Sequence, residues 1–331
     1  MFKSFSHIYV EEAVINLERT QKIISKLKPK EVIIINHYKD SFNRSNQNFR
    51  IQKESPKLIL AKKYDQFLYK GSNFSPNFEF EHFYYNTMAL NCIYDCEYCY
   101  LQGMFHSANL VLFVNWEDFF DATDQFLTKN QSLYLAISYD TDLLALESFF
   151  GLTSAWIEYA EKNRNLNLEI RTKSASFRSI SKYKPSENII LAWTLSPDSV
   201  IKSIEHKTPS LPARLQSMKE ATNLGWKVRI CIDPVILVKN WKQEYTSLAN
   251  SIKDNLTPNK ISEISFGGFR MNSDFLKEMV AKRDDSAILY HHFVKKDKII
   301  SYSSEETMEI YDHIRSLFVD WISHPQIKVS F

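Results

Sequence analysis

The sequence predicts an α/β protein: a partial (β/α)6 TIM-like barrel over residues 81–331, preceded by a small N-terminal α/β lobe over residues 1–80. Three observations lead there. From Phe83 onward, short apolar runs alternate with longer stretches of helical periodicity, six times in succession. That alternation means a parallel sheet with right-handed crossovers. A helix-like and a strand-like segment come before it. Three of the four cysteines sit at the end of the first repeated strand, and β/α barrels gather their ligands at the C-terminal ends of strands.

Residues 10–27 predict an amphipathic helix, because Val14, Ile15, Leu17, Ile23, Ile24 and Leu27 recur at helical intervals. Glu31-Val32-Ile33-Ile34-Ile35-Asn36 predicts a buried strand. The polar span 37–57 carries Lys39, Arg44, Arg50, Lys53 and Lys57, followed by Lys62, Lys63 and Lys70. It reads either as a solvated face or as a surface for nucleic-acid phosphates. Barrel strands are expected at 83–90, 132–138, 166–171, 189–195, 227–232 and 261–266. Helices are expected at 116–128, 147–163, 174–183, 212–224 and 241–255, with a last one at 304–323 before the apolar end 327–331.

Composition narrows the function. A net charge of +2 neither requires nor forbids a nucleic-acid partner. No apolar run of membrane-spanning length occurs, and Met1-Phe2-Lys3-Ser4-Phe5 lacks the apolar stretch of a signal peptide. Cysteines concentrated in one motif point to a reducing, cytoplasmic setting. The chain has six glycines and neither of the common glycine-rich phosphate-loop patterns.

The cysteine stretch is Asn91-Cys92-Ile93-Tyr94-Asp95-Cys96-Glu97-Tyr98-Cys99-Tyr100, spaced C-x3-C-x2-C. Thiolates are soft donors and select iron–sulfur clusters, zinc or copper(I). A structural zinc takes four ligands, its cysteines usually in two C-x2-4-C pairs. Here the fourth cysteine, Cys231, lies over 130 residues away. Three thiolates on a [4Fe–4S] cube leave one iron open for a ligand. A helical packing face for Cys92, Cys96 and Cys99 is the plain alternative, but Asp95 and Glu97 among them suit a loop better.

This spacing, with the aromatic Tyr98 before the last cysteine, resembles the motif of radical S-adenosylmethionine enzymes. Further segments resemble one family within that group, the spore photoproduct lyases. Cys99-Tyr100-Leu101-Gln102 matches its C-Y-L-Q, and Thr141-Asp142-Leu143-Leu144-Ala145-Leu146-Glu147 is similar to its S-D-P-x-x-x-E. Arg171-Thr172-Lys173 resembles V-T-K, and Glu205 through Leu211 with Arg214 resembles a run ending in arginine. Asp233-Pro234-Val235-Ile236 with Asn240-Trp241 and Glu244-Tyr245 completes the likeness, which covers roughly half of the chain.

The resemblance implies an enzyme of the carbon–carbon lyase type, holding a [4Fe–4S] cluster on Cys92, Cys96 and Cys99. It implies reductive cleavage of S-adenosylmethionine to a 5′-deoxyadenosyl radical, and repair of the UV-induced methylene-bridged thymine dimer in DNA. It implies cofactor contacts from Tyr98, Asp142, Lys173 and Thr194, and electrons from a reductase, a flavodoxin or a ferredoxin. Asp142 also fits an N-cap, Lys173 an exposed lysine, and Thr194 a plain strand former. One departure stands out. Family members carry a hydrogen-donating cysteine just before the S-D-P segment, and Tyr139 occupies that place here. Tyr139 and the remaining thiol, Cys231, are therefore the two candidate donors. A relative acting on a different nucleic acid or small molecule, or a DNA-binding protein with a structural metal cluster, remains the alternative.

Overall fold

A computed structural model describes residues 4–72, 78–323 and 326–330; the expected apolar end includes Phe331, which lies outside them. The main sheet has eight strands, and seven of them run parallel as a curled wall, in the order 83–85, 133–136, 166–172, 189–194, 227–235, 261–268 and 327–330. The short strand Tyr69–Lys70 pairs antiparallel at the other edge. Strands covered on both faces read as continuous apolar runs, which is why Leu133–Ala136 and Ile189–Thr194 were legible. Helices Trp116–Lys129, Leu152–Lys162, Leu211–Asn223 and Trp241–Asn255 lie between these strands in the chain. The expected six strands are present, and Ile327–Ser330 adds one more beside Ile261–Gly268.

Four elements expected from residue 83 onward differ. The segment 83–90 is not one strand: Phe83–Tyr85 joins the barrel wall, while Ala89–Leu90 pairs antiparallel with Leu110–Phe113 in the N-terminal sheet. The chain thus passes from one sheet to the other just before the cysteines. The helix expected at 174–183 shrinks to a single turn at Phe177–Ser179. Polar side chains divert the backbone there: Thr172 Oγ1 accepts from the Ser174 amide (2.8 Å) and Ser174 Oγ from the Ser176 amide (3.0 Å). The helix expected at 147–163 breaks at Gly151, whose φ of 75° ends Glu147–Phe150 before Leu152 starts the next. The helix expected from residue 304 stops at Ser316.

The N-terminal sheet has the order 31–35, 7–11, 58–61, 110–113 and 89–90, so two of its strands come from beyond residue 80. The helix expected from residue 10 begins at Glu18, because His7–Glu11 is a strand with Ile8 and Val10 in the core. Glu31–Ile35 forms as expected but is an edge strand, not a buried one; Ile34 is 52% exposed. The polar span after it folds into two short helices, Tyr38–Phe42 and Phe49–Glu54. Its basic residues are partly engaged: Arg50 pairs with Asp285 (3.0 Å) and Lys57 Nζ donates to Ser6 Oγ (2.7 Å). No helix among the described residues is long and apolar enough to cross a membrane.

The short helix Leu101–Met104, which follows the last loop cysteine, packs closely on Ser273–Lys282 at Gly103. A Cβ there would stand 2.4 Å from Phe275 O and 2.6 Å from its Cα. Backbone cannot yield as a flexible side-chain tip can. Gly103→Ala should therefore destabilise the fold by about 1–3 kcal/mol. A lower urea midpoint at unchanged m-value checks this.

Candidate active site around the cysteine loop

A cavity of about 480 Å³ opens at the C-terminal ends of the barrel strands. Cys92, Cys96 and Cys99 line it together with Tyr98, Tyr139, Asp142, Lys173 and Thr194. Eight of the nine residues singled out from the sequence thus share one cavity wall. The ninth, Cys231, is 0% exposed and does not line the cavity.

Side chains fill the hydrogen-bonding capacity of the loop that carries the three cysteines. Gln102 Nε2 donates to the carbonyls of Cys96 (2.7 Å) and Glu97 (3.2 Å). Lys53 Nζ donates to those of Cys92 (2.6 Å) and Tyr94 (2.7 Å). Asp95, placed in a loop by the sequence reading, is a buried partner of Arg283, which also donates to Gln102. Glu97 accepts from Ser286 Oγ (2.5 Å) and meets His206 Nε2 at 2.7 Å. The strands Asp95–Cys96 and Glu205–His206 pair antiparallel beneath this loop.

Burial pushes the Cys92 thiol up to about 12, with the Asp142 charge adding to it, and burial likewise raises Cys96 and Cys99. A metal's positive charge is what converts such thiols to thiolates, with release of protons. The Tyr94 amide already points at Cys92 Sγ (3.4 Å). Among the described residues no three His, Cys, Asp or Glu side chains converge closely enough for a single metal ion. A four-iron cube asks for less convergence, since each thiolate takes its own iron at a separate corner. Three thiols on one cavity wall, with the fourth cysteine buried elsewhere, are the donor set of a cube with one open corner and not of a four-ligand structural zinc. The cavity wall also holds the buried hydroxyls of Ser138 and Thr141, which have no partner among the described residues, as expected where a polar ligand is to be received.

A buried ion pair fixes Tyr98. Its hydroxyl donates to Glu205, which also accepts from Ser196 Oγ (2.9 Å) and Arg214 Nη2 (2.5 Å). Arg214 in turn donates to the carbonyls of Thr194 (3.1 Å) and Pro209 (3.0 Å). Burial alone would raise the Glu205 pKa, but Arg214, Lys173 and the Tyr98 hydroxyl together hold it below the ordinary glutamate value. Sequence reasoning had Glu205 and Arg214 only as parts of a likeness and missed their role. Their signal was a Glu ahead of a short turn and an Arg in the first turn of the helix after it, a pattern too common to single out.

Asp142 lies one residue before the N-cap, Leu143, and its carboxylate ties this loop to the end of the strand Leu166–Thr172. It accepts from the Ala145 amide (3.0 Å), Thr172 Oγ1 (2.8 Å) and the Lys173 amide (2.7 Å). Burial nevertheless raises its pKa. Lys173 Nζ lies 5.3 Å from the centre of the Tyr98 ring, so it is not the exposed lysine of the plain alternative. Burial works against its ammonium, but Cys96, once a thiolate, and the Glu205 carboxylate outweigh that and raise its pKa. Thr194 ends its strand at the cavity.

Tyr139 stacks on Tyr85 (centroids 4.3 Å apart, planes at 21°), and Tyr100 Oη donates to the Tyr139 carbonyl (2.8 Å). Of the pair Tyr84 and Tyr85, the second faces the barrel interior, as alternation requires, and the first packs on Phe126. Arg270 lines the cavity too, but it is bonded to Asp233 (3.1 Å) and the Gly268 carbonyl (2.9 Å).

Comparison with known proteins agrees with this geometry. A profile of the family described as spore photoproduct lyase matches residues 4–289. The spore photoproduct lyase of Clostridium acetobutylicum is 27% identical over 176 residues, which is 52% of either chain. That of Bacillus subtilis is 21% identical over 181 residues, 54% of this chain and 53% of the relative. The aligned stretch thus spans about half the length of these curated relatives. A spore photoproduct lyase complexed with dinucleoside spore photoproduct superposes with a TM-score of 0.84 at 15% identity, covering 99% of this chain and 98% of the other. A mutant of such a lyase with bound AdoMet and dinucleoside spore photoproduct gives 0.82 at 15% identity and 99% of both chains. At that identity these two establish the fold, a TIM-like partial barrel. With the profile running through both sheets except the last strand, Ile327–Ser330, and over every cavity residue except Ile299, the chain belongs to the spore photoproduct lyase family.

Proposed function

We propose that this protein is a radical S-adenosylmethionine enzyme that opens the methylene-bridged thymine dimer formed by UV light in DNA. The observation that carries this reading is the gathering of Cys92, Cys96, Cys99, Tyr98, Asp142 and Lys173 around one cavity at the barrel mouth. When bound, a [4Fe–4S] cluster on the three thiolates with S-adenosylmethionine supplies an electron and a hydrogen-abstracting radical. Everything else falls to the chain. Tyr98, held by Glu205, offers a flat wall beside the cysteines. Lys173 offers a fixed positive charge. The unpartnered hydroxyls of Ser138 and Thr141 offer polar contacts. The cavity volume suits a nucleotide-sized ligand and keeps water from a reactive carbon radical. Taking a lesion out of duplex DNA costs a few kcal/mol, less than for an intact base. A reductase, a flavodoxin or a ferredoxin is the class of electron donor that fits, in a reducing cytoplasm.

After anaerobic reconstitution and reduction, the protein should release 5′-deoxyadenosine and methionine from S-adenosylmethionine. With UV-irradiated DNA containing the lesion it should restore thymine. Cofactor cleavage without thymine recovery would point to the second reading, a family member with another substrate, which the replacement of the donor cysteine by Tyr139 favours.

Of the two candidate donors, we assign hydrogen return to Tyr139, because it lines the cavity and Cys231 does not. Tyr139→Phe removes the O–H and should lower thymine recovery by roughly tenfold or more, about 1.4 kcal/mol at the least. Cys231→Ala should leave deuterium return to product unchanged. Product analysis by mass spectrometry checks both.

A further inference from the structure

The helix Phe49–Glu54 carries Lys53 into the side of the cysteine loop. Its side chain is withdrawn from water, with the residue 6% exposed. The ammonium donates to the carbonyls of Cys92 (2.6 Å) and Tyr94 (2.7 Å) and lies 5.5 Å from the centre of the Phe49 ring. These are dipoles and a ring face; none of them is a counter-charge. The neighbouring carboxylate, Glu54, is turned to Lys207 instead (2.9 Å). Lys207 also donates to the Lys53 carbonyl (2.6 Å), which fixes the end of this helix against the loop.

Elsewhere the molecule pairs its buried cations. The three buried arginines each meet a carboxylate: Arg214 meets Glu205, Arg229 meets Glu169, and Arg283 meets Asp95. Among the described residues Lys53 forms no such pair. A buried charge without an opposite charge costs several kcal/mol, so a fold that keeps one has a use for it. The groups next to these two carbonyls are the loop thiols. Three thiolates on an iron–sulfur cube carry a net negative charge, and that charge grows by one unit when the cube accepts an electron.

We infer that Lys53 is the counter-ion of the cluster: a positioning residue from the N-terminal lobe that holds the cysteine loop and favours the reduced state. This rests on the cluster proposed above and goes beyond it. A fixed positive charge in a poorly screened interior stabilises the more negative of two redox states, and so raises the reduction potential. The N-terminal lobe then takes part in the chemistry through a charge that touches neither cofactor nor substrate.

The test compares the full chain, Lys53→Gln and Lys53→Arg after anaerobic reconstitution. Iron and sulfide per chain are measured first. The midpoint potential follows from a redox titration read by electron paramagnetic resonance. Lys53→Gln keeps an N–H donor and loses the charge. It should bind the normal amount of iron, yet hold about a tenfold smaller reduced-to-oxidised ratio at a fixed potential, equal to about 59 mV for one electron. Lys53→Arg keeps the charge and should stay near the parent. An unshifted potential in Lys53→Gln overturns the inference. Should Lys53→Gln take up no iron, Lys53→Arg decides: iron at the parent potential supports a need for charge, whereas an empty protein, or one whose potential departs from the parent's, reduces Lys53 to a loop clamp. Absence of iron in the parent itself would sink both this inference and the proposed function, whereas normal iron with an unmoved potential sinks the counter-ion alone.

Discussion

Cys96→Ala should reduce iron uptake on reconstitution to background and abolish release of 5′-deoxyadenosine. A cube on two thiolates has two exposed corners and is lost to solvent or chelator. Cys96 is also the most enclosed of the three loop cysteines, buried where Cys92 and Cys99 are partly open, so no exogenous thiol can readily replace it. The apoprotein should stay folded. The side chain lost is small, and the strand pairing of Asp95–Cys96 with Glu205–His206 uses backbone only. Cys231→Ala provides the contrast. Its thiol is buried away from the cavity, so the variant should bind iron like the parent. Equal iron in Cys96→Ala and the parent would remove the basis of the proposed function.

Arg214→Met should be the most damaging single change away from the cysteines, at about 3–5 kcal/mol. It strands Glu205 as an unpaired carboxylate in the interior and leaves the Thr194 and Pro209 carbonyls without their donor. Removing both charges together, as Glu205→Gln with Arg214→Met, should cost less than Arg214→Met alone. The pH dependence follows from the sign of the shift. The folded pKa of Glu205 is depressed below its ordinary value of 4.5. Its contribution is therefore fully present above that value and is lost as pH falls through the lower, folded pKa. In Arg214→Met, protonation instead relieves the stranded carboxylate. The gap in urea midpoint between parent and variant should be wide near neutral pH, begin to narrow as pH falls toward 4.5 and the stranded carboxylate takes up its proton, and narrow further below 4.5 as the parent loses its own contribution. A gap independent of pH would mean that packing, and not charge, dominates this site.

The barrel was legible because its central strands are covered on both faces, and a run such as Ile189–Thr194 has few other ways to bury itself. The cysteine loop was legible because its chemistry is written in consecutive residues. Long-range events were not. The segment 83–90 looks like one strand, and nothing local tells that Phe83–Tyr85 and Ala89–Leu90 serve different sheets. The strands His7–Glu11 and Leu58–Ala61 were hidden by what adjoins them, a helical periodicity and a basic span. The failed helix at 174–183 was apolar enough, but Thr172 and Ser174 take their backbone partners from within the turn. Lys53 looked like one lysine in a solvated stretch. Its burial depends on a loop 39 residues away, a distance over which sequence patterning carries no information.

The clamps on the cysteine loop also bear on the order of events in biosynthesis. Lys53 leaves the ribosome before the cysteines do, but Arg283, which grips Asp95, is made 188 residues after it. For most of translation the three thiols therefore hang from a half-fastened loop, open to oxygen and to stray copper or zinc. Full closure of the loop thus waits on residues near the end of the chain, and iron uptake is expected to be efficient only once Arg283 has been made.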